Sequence, residues 1–174
     1  WVFKTGGRWP KVMLLSPDEK TLWASNWASH NVSEIGLETG KTVRRLKSIA
    51  NPRGLRQTSD GKRLYVAGFK NGEMQEFDLA TGEGKVVFSK TGGSMRPMVA
   101  DEERSLLYID DLTSNAVWVM DLVAKEVTKL ADTDQRPNSI EFSPYKRVLY
   151  VSCRGKVLDA IVGGKVRAAV VRVV

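Results

Sequence analysis

A chain of 174 residues with 42% hydrophobic and 27% charged residues has the composition of a globular domain with a real core. No run of the sequence approaches the ~18 consecutive apolar residues a membrane helix needs, and the lone Cys153 excludes an internal disulfide and any CxxC or CxxCH motif. The net charge of +7 fits either a mildly basic surface or an anionic partner, and with no disulfide to read the redox compartment stays open.

The chain opens at Trp1 with no initiator Met and no basic-then-apolar leader, as expected of a processed chain or a piece of a longer one. Val2-Phe3-Lys4-Thr5-Gly6-Gly7 and Val87-Phe88-Ser89-Lys90-Thr91-Gly92-Gly93 share a strand-like start and a Lys-Thr-Gly-Gly turn, each followed by a Pro. Residues 1–5 therefore read as the last strand of a preceding unit. From Pro10 onward four copies of one pattern follow. A first strand comes soon after a proline, at Val12–Leu15, Gly54–Gln57, Met98–Ala100 and Ser139–Phe142. A turn rich in Ser, Asp and Gly comes next, with Asp able to bond the backbone ahead and Gly accepting positive φ. Its copies are Ser16-Pro17-Asp18-Glu19-Lys20, Thr58-Ser59-Asp60-Gly61-Lys62, and looser versions at 101–105 and 143–147.

The second strands, Leu22–Ser25, Leu64–Gly68, Leu106–Asp110 and Val148–Cys153, are near-continuous runs of β-branched, aromatic and aliphatic residues, the mark of a strand covered on both faces. They carry Trp23, Tyr65, Tyr108 and Tyr150 at spacings of 42, 43 and 42 residues. Third strands are expected at Asn31–Leu37, Glu73–Leu79, Ala116–Leu122 and Val157–Val162. The fourth strands, such as Lys41–Lys47 and Glu126–Leu130, are more charged, as suits an outer edge. A period in the 40s built from short antiparallel strands predicts an all-β fold, a β-propeller of four-stranded blades. The blades fall at about 10–50, 52–94, 97–135 and 137–174, in a single partial propeller domain.

Ser16-Pro17-Asp18 … Leu22-Trp23-Ala24-Ser25-Asn26 … Asn31-Val32-Ser33 … Thr39-Gly40-Lys41, and more closely Ser59-Asp60-Gly61-Lys62-Arg63-Leu64-Tyr65-Val66-Ala67, resemble the YVTN-type β-propeller repeat of surface-layer-like, WD-like propellers. The resemblance covers nearly the whole chain and fades after Cys153, where only Arg154-Gly155-Lys156 separate the second and third strands of the last copy. It implies export, to the periplasm, the cell surface or the medium. It leaves function open, because such scaffolds serve binding proteins and enzymes alike. Four blades plus the opening strand make seventeen strands, whereas the seven-bladed rings the family resembles need about 300 residues at this period. The expectation is an incomplete ring, completed by further sequence or by another chain.

No catalytic constellation is legible. His30 is the only histidine, which excludes a His-based metal cluster, and it reads as a loop histidine. No nucleophile-elbow motif is present. Cys153, at a strand end, reads as a buried, inert thiol. Asp110-Asp111 and the Asp132/Asp134 pair lack the Gly-interrupted spacing of a calcium loop. No cofactor or metal is expected from these residues. Binding is better supported. The connections into each first strand carry Arg8, Arg53, Arg96 and Arg136 beside or near a proline, and Trp9 lies in the first of them. The loops between second and third strands add Trp27, His30, Phe69, Lys70 and Arg154. Guanidinium forks read carboxylates and phosphates, and aromatics among basic residues stack on sugars, bases or side chains. The bland alternative is that these arginines bond loop carbonyls and hold blades in register. Three readings follow: a non-catalytic binding or scaffold propeller engaging a protein, a polysaccharide or an anionic ligand; a propeller enzyme (lactonase, lyase or cofactor-dependent oxidoreductase) completed by absent blades; and, third, nucleic-acid binding through a basic funnel.

Overall fold

In a computed structural model of the protein, residues 2–90, 92–155 and 167–172 are described, the last six as backbone. They form fifteen β-strands and no helix. The chain divides into two compact units, Trp1–Thr91 and Gly92–Val174. Each is built from blades of the β-propeller kind, antiparallel strands joined in sequence order by short turns.

Unit 1 holds the first blade, β1 (Pro10–Leu15), β2 (Thr21–Asn26), β3 (Asn31–Gly36) and β4 (Lys41–Lys47), and the second, β5 (Pro52–Gln57), β6 (Arg63–Gly68), β7 (Glu73–Asp78) and β8 (Gly84–Ser89). Its core lies between the two sheets, where Trp23, Val32 and Leu46 of the first blade meet Leu55, Leu64, Val66 and Phe77 of the second. Trp23 Nε1 donates across the join to Gln57 Oε1 at 2.9 Å, which satisfies the one polar atom of a buried indole. Unit 2 holds a four-stranded blade, β9 (Met95–Asp101), β10 (Leu106–Asp111), β11 (Ala116–Asp121) and β12 (Val127–Asp132), and a three-stranded sheet, β13 (Pro137–Ser143), β14 (Val148–Cys153) and β15 (Arg167–Arg172). Its core joins Tyr108 and Val117 to Ile140, Leu149, Val151 and Cys153.

Three expectations need correction. Residues 2–5 form no strand. Their backbone is caught by side chains instead: Thr42 Oγ1 donates to Lys4 O at 3.1 Å and Ser33 Oγ to Thr5 O at 2.6 Å. Arg45 Nη1 donates to Gly6 O at 2.8 Å. Phe3 presses on Gly40 so closely that an added Cβ there would lie 3.0 Å from its ring. The segment thus crosses β3 and β4 of the first blade, bound by side chains where a strand would need a ladder partner. In the last sheet the place beside β14 is taken by β15, with Val148 opposite Arg172 and Cys153 opposite Arg167. The third strand expected at Val157–Val162, and the hairpin after it, lie outside the described residues. Tyr150 also departs from its series, being 42% exposed where Trp23, Tyr65 and Tyr108 are buried.

The prolines also belong to the strands. Pro10, Pro52 and Pro137 are the first residues of β1, β5 and β13, a position where the missing N–H costs no ladder bond. In the third blade Met95 takes that place, opposite Asp111 as Pro10 is opposite Asn26, and Pro97 comes two residues later. Each first strand then bulges: the register shifts between Pro10 and Val12, Pro52 and Gly54, and Pro137 and Ser139, and opposite Ile109–Asp111 in the third blade.

Candidate functional site

The loops between second and third strands and the segments leading into each first strand meet at one end of each blade, where a repeated circuit of backbone hydrogen bonds holds them. The residue before each first strand gives its carbonyl to the first N–H of the loop: Trp27 N to Trp9 O at 3.0 Å and Phe69 N to Asn51 O at 3.0 Å in unit 1. In unit 2 the same bonds run from Leu112 N to Ser94 O at 3.1 Å and from Arg154 N to Arg136 O at 3.0 Å. Three of these lead-in residues, Trp9, Asn51 and Arg136, have φ of 54°, 52° and 60°. A left-handed conformation is costly for a residue with a Cβ, and the position before proline is restricted as well. It persists here because the circuit over-determines it.

The last residue of each loop is also left-handed: His30 at φ 52°, Gly72 at 61°, Asn115 at 52°. Its side chain, where it has one, reaches the next lead-in residue. Asn51 N donates to His30 Nδ1 at 3.0 Å, and Arg136 N to Asn115 Oδ1 at 2.8 Å. Gly72 has no side chain to offer, and the Ser94 N–H goes to Asp111 Oδ1 at 2.8 Å. His30 is thus a brace between blades.

On this frame unit 1 displays an aromatic row. Trp9 and Trp27 stack with ring centroids 5.5 Å apart and planes 18° from parallel. Phe69 continues the row 6.3 Å from Trp27 at a tilt of 56°. A cation stands at each end: Lys11 Nζ lies 5.9 Å from the Trp9 ring centre and the Arg53 guanidinium carbon 5.9 Å from that of Phe69. Both distances suit cation–π attraction. Trp9 is 63% exposed, far more than a tryptophan serving only as core. Arg8 lies beside it, its backbone N–H on Ser29 Oγ at 2.6 Å and its guanidinium on Ala28 O at 3.4 Å. Lys70 is exposed in the loop that carries Phe69.

One end of unit 1 is strongly basic. The loop end carries Arg8, Lys11, Lys47, Arg53, Lys70 and Lys90, with Glu73 the acid among them. The opposite, turn end is mixed, with Asp18, Glu19, Glu38, Asp60, Asp78 and Glu83 among Lys20, Lys41, Lys62, Arg63 and Lys85, and a cavity of about 410 Å³ there is lined by Asp18, Trp23, Glu34, Gln57 and Asp60. Its carboxylates are already engaged. Asp18 accepts from the Ser16 hydroxyl and Asp60 from that of Thr58, each at 2.6 Å, and Glu34 is held by Arg44. No group of three or more His, Cys, Asp or Glu residues among the described residues is arranged to hold a metal ion.

In unit 2 the expected site residues are placed differently. Arg96 is 4% exposed and donates to Asn138 Oδ1 across the two sheets. Arg136 is half-buried, with its backbone bonded on both sides by Asn115 and Arg154, and Arg154 is exposed. Cys153 is buried, and burial pushes its thiol up, away from the reactive thiolate.

Strand pairing gives these arginines a register that prolines alone misassign. Counted from Pro10, Pro52, Met95 and Pro137, Arg8 stands two residues before and Arg136 one before, while Arg53 and Arg96 stand one after. That last position is the bulge, which re-aims a side chain at a sheet margin. Its counterpart in the first blade is Lys11, which reasoning from proline-adjacent arginines misses although its spacing from Arg53 is one period.

No protein-family model matches the chain. It is 32% identical over 155 residues to Antigen Lp49 of Leptospira interrogans serogroup Icterohaemorrhagiae serovar copenhageni, a match covering 86% of this chain and 34% of the antigen. Among solved structures it is similar to Kuenenia stuttgartiensis hydrazine synthase, with a TM-score of 0.79 and 21% identity over 99% of this chain and 53% of that one. The chain thus spans about a third of the antigen (34%) and about half of the synthase chain (53%).

Proposed function

We propose that this chain is a non-catalytic binding module, YVTN-type in its repeats, belonging to an exported protein that meets its partner at the cell surface. The single observation that carries the binding reading is the Trp9–Trp27–Phe69 row, led by the exposed Trp9, with Lys11 and Arg53 at its ends. An exposed ring such as Trp9 stabilises a fold little and a complex a great deal, because its apolar area leaves water only when a partner covers it. The relative is an antigen by name, which supports a location where macromolecules from outside the cell are met. At the sequence level Arg8, Trp27, Phe69 and Lys70 support the same surface. Among the described residues no helix is long and apolar enough to cross a membrane.

The test is to immobilise the chain and measure its retention of components from an extracellular-matrix extract, against a variant carrying Trp9→Ala and Arg53→Ala. The variant is expected to lose most of the retained material while keeping its urea midpoint. Equal retention by both forms would overturn the assignment. A parallel variant, Arg96→Ala with Arg136→Ala, is expected to retain the material, since Arg96 is occupied by Asn138.

A further inference from the structure

We infer that the loop end of unit 1 takes an acidic polysaccharide, a chain of pyranose rings bearing carboxylates. This inference rests on the binding reading above and names its ligand class. Three observations support it together. First, the stacked Trp9 and Trp27 rings offer a broad amphipathic surface, and Trp9 is well over half exposed. An indole of this kind covers the flat, apolar C–H face of a sugar ring while leaving hydroxyls wet. Second, the charge at this end is one-sided, with six Lys or Arg residues against Glu73. A neutral glycan would gain nothing from that field, whereas an anionic one is both attracted and oriented by it.

Third, a cation caps each end of the aromatic row, with Arg8 and Lys70 in the loops beside it. Lys11 stands over Trp9 and Arg53 over Phe69, with Trp27 between them. A polymer laid along the row therefore meets cation, ring, ring, ring, cation. Cation and ring thus stand together at each end, which suits a ligand whose carboxylate and apolar face belong to one ring, as in an acidic glycan. Single-stranded nucleic acid carries a phosphate at every step and is bound by a continuous basic groove with separate stacking faces for its bases. Here Trp9 and Trp27 spend one face each on the other, so the row has no separate face for each successive base, while one sugar ring needs only the exposed Trp9.

The experiment is isothermal titration calorimetry of the 174-residue chain with sodium alginate, neutral dextran and oligo(dT) as probes. Alginate is expected to bind and dextran not to. Affinity for alginate is expected to fall as salt rises, and to fall about tenfold in Trp9→Ala. Lys11→Ala is expected to flatten the salt dependence, since one fewer ion contact is screened. Both side chains are exposed, so urea midpoints serve as the folding control. Absence of alginate binding, alginate binding unchanged in Trp9→Ala, or dextran binding equal to alginate would each overturn the inference. Oligo(dT) binding tighter than alginate and lost in Trp9→Ala would overturn the ligand class while leaving the binding reading in place. No loss of matrix retention in Trp9→Ala with Arg53→Ala would remove that broader reading itself.

Discussion

His30 Nδ1 accepts the backbone N–H of Asn51 at 3.0 Å, so the one histidine of the chain is a brace between consecutive blades. Asn115 does the same for Arg136 one unit further on. Asn51 is 6% exposed, so water is a poor substitute for the lost acceptor. His30→Ala is expected to destabilise the fold by about 1–2 kcal/mol. His30→Asn keeps an acceptor on a residue tolerant of a left-handed backbone, and is expected to fall within about 0.5 kcal/mol of the parent. Urea unfolding of the three proteins decides it, and equal losses in both variants would refute the brace.

The turns between third and fourth strands carry a second left-handed residue: Gly40 at φ 67°, Gly82 at 78° and Lys125 at 62°. All three N–H groups close the same bond, to Gly36 O, Asp78 O and Asp121 O. Lys125 therefore stands where two blades use glycine. Lys125→Gly is expected to raise stability by up to about 1 kcal/mol, read as a higher urea midpoint with unchanged slope.

Stability is expected to fall at both ends of the pH range. Asp18 is held below the ordinary carboxylate value of 3.8 by the Ser16 hydroxyl first and the Lys20 N–H second. Thr58 and then the Lys62 N–H do the same for Asp60, and the N–H groups of Ala124 and Val123 for Asp121. The unfolded chain then binds more protons than the native one as pH drops below about 4, so this contribution is present above that pH and lost on acidification. Asp18→Asn with Asp60→Asn is expected to flatten the acid limb of urea midpoint against pH. Tyr65 and Tyr108 lie above the ordinary phenol value of 10.0, each raised mainly by burial. Their contribution is present below about pH 10 and lost above it, as the unfolded chain releases protons the native one keeps.

Tyr65 also has a partner worth testing. Its hydroxyl donates to Glu76 Oε2 at 2.6 Å, and Glu76, only 2% exposed, has Arg63 Nη1 at 3.5 Å and Lys85 Nζ at 3.6 Å. Tyr65→Phe takes a donor from a buried carboxylate and is expected to cost about 1.5–3 kcal/mol. Calorimetric unfolding at pH 7 would show it as a lowered Tm.

The repeat was legible because its determinants are local. Alternating turns and covered strands place β4 and β14 at the bounds the sequence suggests. What escaped was set by pairing. The proline of the third blade sits two residues late, so matching prolines put Arg96 in a loop when it occupies a strand bulge against Asn138. The opening residues look like a strand by composition, yet Ser33, Thr42 and Arg45 bind their carbonyls from the side. The aromatic row was visible residue by residue as Trp9, Trp27 and Phe69. Its bracketing by Lys11 was not, because lysine one residue past a proline has no signature until the bulge aims it.

The backbone circuit has a consequence for how such a chain can change. Trp27, Phe69, Leu112 and Arg154 make one N–H bond each to Trp9, Asn51, Ser94 and Arg136, and none of those four bonds uses a side chain. Eight positions at the loop ends are therefore tied in pairs by the main chain, with His30, Asp111 and Asn115 bracing Asn51, Ser94 and Arg136 from the side. Their side chains can be varied one blade at a time while those main-chain bonds remain, with Trp9, Asn51 and Arg136 limited to residues that accept a left-handed backbone. Indole, guanidinium, carboxamide, hydroxyl and alkyl groups already occupy equivalent places in this single chain. Evolution has in hand a rack of interchangeable recognition elements on a constant frame, and an engineer who recodes those eight positions inherits the same freedom.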